Sequence, residues 1–319
     1  MKILFITATR IGDAVLSTGL LHHLIGQYPQ AQFTVACGPD AAPLFSEMPH
    51  LERLIAMPKE RWSKHWIKLW WACVGTHWDL VIDLRKSVVA YILFSSRRFT
   101  LANSKEPVHR VRLIADVMGL PETPMPHIWI RQERRSQAER LLPVGQTVLA
   151  VGPTTNWLAK TWRPENFVSL LARLTGPGGI LPGAKVAVFG APHERPQAQP
   201  VIDALPPDQV IDLVGRIDLL SVYACLERCS FYIGNDSALM HLAAASGIPT
   251  LGLFGPSSEV FYAPWGWLAS VVRTPETFDS IFPKNFDHRS SGTLMDSLTV
   301  DMAEEAARNL WARALARAA

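Results

Sequence analysis

The chain has 319 residues, of which 48% are hydrophobic and 18% charged, with a formal net charge of +3. That length predicts two domains of roughly 150 residues each, the composition excludes a disordered chain, and the charge is too weak to imply nucleic acid while suiting an anionic substrate or lipid surface. No run reaches the roughly 20 apolar residues of a membrane-crossing helix.

In chain order, the N-terminus MKILFITATRIGD lacks the apolar region and cleavage site of a signal peptide, so a cytoplasmic protein is expected. Apolar, β-branched segments then alternate with segments of helical period, the pattern of βαβ units on parallel sheets. Strands are predicted at 2–7, 33–37, 51–57, 79–84 and 97–102, with a first helix from about Asp13 to Gln27. The charged run RQERRSQAER reads as an exposed helix within a linker at 131–146, and the domain boundary is placed after Leu142-Pro143, giving domains 1–143 and 144–319. Strands of the second half are predicted at 147–152, 185–190, 209–213, 231–234 and 248–255. Residues 273–293 read as a long loop, and the terminal stretch LTVDMAEEAARNLWARALARAA as a helix able to pack on either domain.

The most informative stretch is FYIGNDSALMHLAAASGIPTLGLFGPSS (231–258), which reads as strand, turn, buried helix, glycine stop and strand. Asn235, Asp236 and Ser237 all suit a helix cap, and Gly247 and Pro249 end the helix. A helix opening at the carboxyl end of a parallel strand presents free N–H groups and a positive dipole, which favour a phosphate. Ser237 adds a hydroxyl, and His241 lies on the same face. A plain cap at Asp236 and a satisfied core histidine at His241 are equally compatible with these residues.

At the first strand, the turn TATRIGD has no G-x-G-x-x-G, which argues against a dinucleotide-dependent oxidoreductase. Gly12 permits close backbone approach, Arg10 is either an anion contact or a surface arginine, and Asp13 is either a general base or an N-cap. The stretch KERWSKHWIKLWWACVG (59–75) interleaves basic and aromatic residues. It suits an interfacial helix, while packing of Trp66, Trp70 and Trp71 onto the domain is the plainer account. Cys37, Cys73, Cys225 and Cys229 match no zinc or redox spacing, and no metal-ligand cluster is visible.

GNDSALMHLAAASGIPTLGLFGPSS resembles the Asp-Thr-Gly-x-x-His-Leu-x-x-Ala signature of the ADP-heptose lipopolysaccharide heptosyltransferases, glycosyltransferase family 9. The resemblance extends in order to MKILFITATRIGDAVLSTGLL, DLVIDLRKS and TTNWLAKTWRPENF, and so covers the whole chain. It implies a GT-B fold of two facing Rossmann-like domains with a cleft between. The donor, ADP-L-glycero-D-manno-heptose, would be bound mainly by the second domain. A lipid A–core acceptor at the inner membrane would be bound mainly by the first. It also implies inversion at the transferred sugar, no cofactor and no metal, with 59–75 as a candidate for peripheral membrane contact.

Carried over residue by residue, the resemblance makes Asp13 the base and Lys160 the group that stabilises the departing nucleoside diphosphate. Thr154, Thr155, Asp236, Ser237, Ala238 and His241 become donor contacts, and Glu194 of FGAPHE a ribose contact. Departures are visible. Ser237-Ala238 replaces Thr-Gly, so the methyl of Ala238 stands where a backbone-to-phosphate contact is expected, and the Thr155-to-Lys160 spacing is one residue longer than in some members. DLRKS lacks the common Gln-Gly, so Arg85 and Lys86 are expected to suit a phosphorylated or carboxylated acceptor sugar. A different nucleotide sugar, or a catalytically silent binding module, remains the alternative.

Overall fold

A computed structural model describes residues 1–102, 106–142, 144–283, 286–287 and 291–318. The chain divides into two compact units, Met1–Arg131 and Gln132–Ala319. No helix among the described residues is long and apolar enough to cross a membrane.

The first unit runs β1 (Lys2–Ile6), α1 (Ile11–Gln27), β2 (Gln32–Cys37), β3 (Leu51–Ala56), α2 (Lys64–Cys73), β4 (Trp78–Asp83), α3 (Val89–Ile92), β5 (Ser95–Thr100) and α4 (Arg110–Asp116). All its strand pairs are parallel, in the order β3-β2-β1-β4-β5. Ile3, Leu4, Phe5 and Ile6 are wholly buried, which is why this central strand reads as a continuous apolar run without alternation. The β1–α1 turn is drawn against the end of β2. Gly38 donates its N–H to the Ala8 carbonyl at 3.1 Å, and a Cβ there would meet the Thr9 backbone at 2.5 Å.

The second unit runs α5 (Gln132–Leu141), β6 (Val148–Gly152), α6 (Pro164–Thr175), β7 (Lys185–Val188), α7 (Arg195–Ala204), β8 (Val210–Asp212), α8 (Leu219–Leu226), β9 (Phe231–Asn235), α9 (Ala238–Ala245), β10 (Thr250–Phe254), α10 (Glu259–Tyr262), β11 (Ala269–Arg273) and α11 (Val300–Ala318). Its sheet is also parallel, in the order β11-β10-β9-β6-β7-β8. β11 was not foreseen. It is an edge strand whose residues are all half-buried, so it carries neither a continuous apolar run nor a clean alternation.

The division falls before α5 instead of at 143/144, because α5 packs on α8, with Ala138 wholly buried, and adds polar bonds to it. Arg134 pairs with Asp218 at 2.5 Å, Arg135 with Glu227 at 3.1 Å, and the Ser221 hydroxyl donates to Gln137 at 2.8 Å, so the charged helix is bound to α8. Pro143 of the expected junction lies outside the described residues, as do 284–285 and 288–290 of the expected 273–293 loop. The terminal helix α11 packs on α6, β10 and β11, burying Ala303, Ala307 and Leu310 in the second unit's core.

Candidate active site

Each sheet reverses its winding once. In the first, the chain moves from β1 outward to β3 and then returns to β4 on the other side of β1; in the second, the same occurs between β6 and β9. The carboxyl ends of such strand pairs leave a crevice that neither crossover helix covers, the usual place for a ligand in an open α/β sheet.

At the β1/β4 end of the first unit lies a cavity of about 380 Å³, lined by Thr7, Arg10, Asp13, Arg85, Lys86 and Arg110, among others. The structure thus brings together four of the residues picked out in the sequence, and Gly12 belongs to the same turn. The N-cap of α1 is Arg10, through its backbone, and Asp13 is the third helical residue, so Asp13 is not the cap. It is half-buried, and among the described residues it makes no hydrogen bond or ion pair. Below it, the Thr7 and Ser17 hydroxyls bond at 2.7 Å and Ser17 donates to the Ala14 carbonyl, which fixes the first turn of α1 to the end of β1.

The facing turn is built on a buried carboxylate. Asp83, with no exposed surface, accepts from Arg85 N at 2.7 Å, from Ser87 N at 2.6 Å and from the Ser87 hydroxyl at 2.7 Å. These bonds hold Lys86 in a left-handed conformation, φ 56°, sparsely populated for a residue with a side chain. Arg85 and Lys86 are therefore placed by a strained, tightly bonded turn. Arg110, the first residue of α4, adds a further cation that sequence reading missed; nothing in HRVRL separates it from any other surface arginine.

In the second unit the residues at the β6/β9 end are already engaged with one another. Lys160, at the end of a short 3₁₀ turn, donates to Asp236 Oδ2 at 2.8 Å and to the Asp236 carbonyl at 3.2 Å, with both side chains largely buried. The Thr154 hydroxyl donates to Glu194 Oε2 at 2.9 Å, and the same oxygen accepts Ala191 N at 2.8 Å. Thr155 turns inward, its hydroxyl bonded to the Trp157 carbonyl at 2.7 Å and to the Thr161 hydroxyl at 2.8 Å, so it braces the loop that carries Lys160.

Two of the three capping expectations are corrected here. Asn235 spans two strand ends instead, accepting from Trp162 N at 3.0 Å and donating to the Pro153 carbonyl at 2.9 Å. Asp236 is taken by Lys160, and Ser237 occupies the N-cap position of α9 without a side-chain cap bond. Ala238 is the first residue of that helix, and His241 is buried in its next turn. A residue that the sequence did not flag, Tyr232, lies beneath this end. Its wholly buried hydroxyl occupies the space above Gly152 and Gly234, where a Cβ would lie 2.2 and 2.4 Å from it. Burial pushes its pKa up, so it stays protonated. A cation, a hydroxyl and the free N–H groups of a helix start form a setting for a diphosphate; the carboxylate amid cations in the first unit forms one for proton abstraction from an anionic substrate.

Residues 72–282 match the sequence profile of glycosyltransferase family 9 (heptosyltransferase). Lipopolysaccharide heptosyltransferase 2 of Escherichia coli K12 is 27% identical over 86% of this chain and 88% of its own length. Among solved structures, a glycosyl transferase family 9 protein from Veillonella parvula superposes with a TM-score of 0.78 at 22% identity, covering 97% of each chain. The E. coli ADP-heptose lps heptosyltransferase II superposes with 0.76 at 24% identity, over 98% of this chain and 99% of that one. Two parallel sheets flanked by helices, with a polar switch point in each, are the architecture of a GT-B glycosyltransferase. The chain belongs to glycosyltransferase family 9, the heptosyltransferases.

Proposed function

We propose that the enzyme transfers a heptose from ADP-L-glycero-D-manno-heptose to a lipopolysaccharide inner-core acceptor, with inversion, from the cytoplasmic face of the inner membrane. The observation that carries this reading is Asp13, a carboxylate without a partner among the described residues, in a cavity whose other charged lining residues, Arg10, Arg85, Lys86 and Arg110, are all cations. The name of the E. coli solved relative, an ADP-heptose heptosyltransferase, supports the donor.

On this reading Asp13 removes the proton from the acceptor hydroxyl as that oxygen attacks the anomeric carbon and the bond to the diphosphate breaks. Arg10, Arg85, Lys86 and Arg110 hold an acceptor bearing phosphate or carboxylate groups. In the second unit, Lys160 and the N-terminus of α9, with Ser237 and Ala238, take up charge on the departing ADP. Glu194 accepts a ribose hydroxyl through Oε1, since both of its bonds in the structure fall on Oε2. Thr154 fixes that carboxylate, while Asp236 and His241 orient the groups around the diphosphate.

Thermal unfolding in the presence of ADP, UDP and GDP tests the donor, because a ligand that binds only the folded state raises its apparent stability. ADP is expected to give the largest rise; a larger rise with UDP or GDP would exclude the heptose donor.

A further inference from the structure

The exposed apolar side chains of the first unit gather on two adjoining elements. In α2, Leu69 and Cys73 are buried and Trp66 and Trp70 pack on the core, while Lys64, Ile67, Lys68 and Trp71 are exposed. Those four positions follow the i, i+3, i+4, i+7 spacing of a single helical face. The outer face of the helix therefore sets two apolar side chains, Ile67 at 56% and Trp71 at 68% exposure, between two lysines. A helix held only by its own domain carries polar residues there. Just before it, Trp62 and Ser63 adopt consecutive left-handed conformations, φ 58° and 57°, and Trp62 is 86% exposed. The short helix α3 packs against α2 on the same core, and around it Val88, Tyr91, Ile92 and Phe94 face outward, Phe94 at 76% exposure.

The charge around these side chains has one sign. Lys59, Arg61, Lys64 and Lys68 are exposed, and Glu60, the only acid between 59 and 75, is paired with Lys68 at 2.5 Å. We propose that this face, formed by the 59–63 turn, α2 and α3, docks on an anionic lipid bilayer. Tryptophan, tyrosine and aliphatic groups would lie at headgroup depth and the lysines against lipid phosphates. A symmetric dimer through the same face is disfavoured, since it would set the face against itself and oppose lysine to lysine.

The helix that bears the docking face also reaches the Asp13 cavity, through its core-packed side. Arg85, which lines the Asp13 cavity, stacks its guanidinium 5.7 Å from the ring centroid of Trp66 on α2. A bilayer on this face would thus hold the same helix whose other side touches a cation of the cavity wall. That link to transfer rests on the acceptor reading above; lipid binding itself does not.

The test is co-sedimentation of the full chain with vesicles of equal parts phosphatidylcholine and phosphatidylglycerol, and of phosphatidylcholine alone, without nucleotide or acceptor. The protein is expected to pellet with the anionic vesicles and to be released by salt. Lys64→Gln with Lys68→Gln should weaken the partition roughly tenfold, as should Trp62→Ser with Trp71→Ser, and Ile92→Ser with Phe94→Ser provides an independent pair on α3. All six side chains are exposed, so unchanged thermal unfolding is expected to accompany the loss. A wild-type protein that stays in the supernatant, variants that pellet as well as wild type, or a dimer abolished by these same variants in the absence of lipid binding would each overturn the proposal. Failure here would leave ADP binding and transfer to a delipidated acceptor intact, whereas failure of the transfer reading would leave vesicle binding intact.

Discussion

The two switch points share a position in their sheets and differ in their state. At β1/β4 the carboxylate of Asp13 is without a partner among the described residues, and two of the cations beside it, Arg85 and Lys86, are placed by backbone geometry, through the Asp83-bonded turn. At β6/β9 the charges are paired in advance, Lys160 with Asp236, and Thr154 with Glu194. On the proposed reading the difference has a reason, since a proton acceptor has to be left unsatisfied until substrate arrives, whereas a diphosphate cradle gains from partners that hold its cation in place. Loss of a charge should therefore lower turnover in both units but lower stability only in the second.

The sharpest break between them is Asp13→Asn. Transfer should fall roughly 10²- to 10⁴-fold, while ADP binding and thermal unfolding stay at wild-type levels, because the side chain contributes no bond to the fold; unchanged turnover in a coupled ADP-release assay would remove Asp13 from the chemistry. Lys160→Ala should come next, lowering turnover roughly 10²- to 10³-fold. Unlike the first substitution, it should also lower stability by roughly 3 kcal/mol by leaving Asp236 buried without its counter-charge. Adding Asp236→Asn should restore part of that stability without restoring turnover, which calorimetry and the same assay would separate. Glu194→Gln should weaken ADP roughly tenfold, by titration calorimetry, with little effect on folding. The smallest change is Ala238→Gly, which removes the methyl at the first turn of α9 and should tighten ADP roughly threefold. Weaker binding would show that Ala238 does not crowd the donor.

How much of this was legible in the sequence depends on how deeply each residue is buried and on how far its partners lie along the chain. β1, β4, β6 and β9 are buried on both faces, and their apolar runs announced them. β11, half-buried at an edge, did not. The turn after β1 and the start of α9 were readable because strand, turn and helix follow one another locally. The Lys160–Asp236 pair spans 76 residues, and each member taken alone reads as a surface lysine or a cap. Arg110 and Tyr232 reach their sites only through the packing of whole elements. For 59–75 the sequence offered membrane contact and core packing as rivals, and the structure divides the tryptophans between them, with Trp66 and Trp70 on the core and Trp71 outside.

The hydroxyl of Tyr232 and the bare backbones of Gly152 and Gly234 occupy one small space at the floor of the second unit's site. A Cβ at Gly152 is excluded by that hydroxyl, while one at Gly234 would also meet the Gly152 carbonyl oxygen at 2.6 Å, so the two glycines are closed for different reasons. A change of tyrosine to phenylalanine at 232 would therefore relieve the closest approach at Gly152 alone, and the order of the two changes matters there, whereas Gly234 stays bound to glycine by the backbone of its neighbouring strand whichever ring stands at 232.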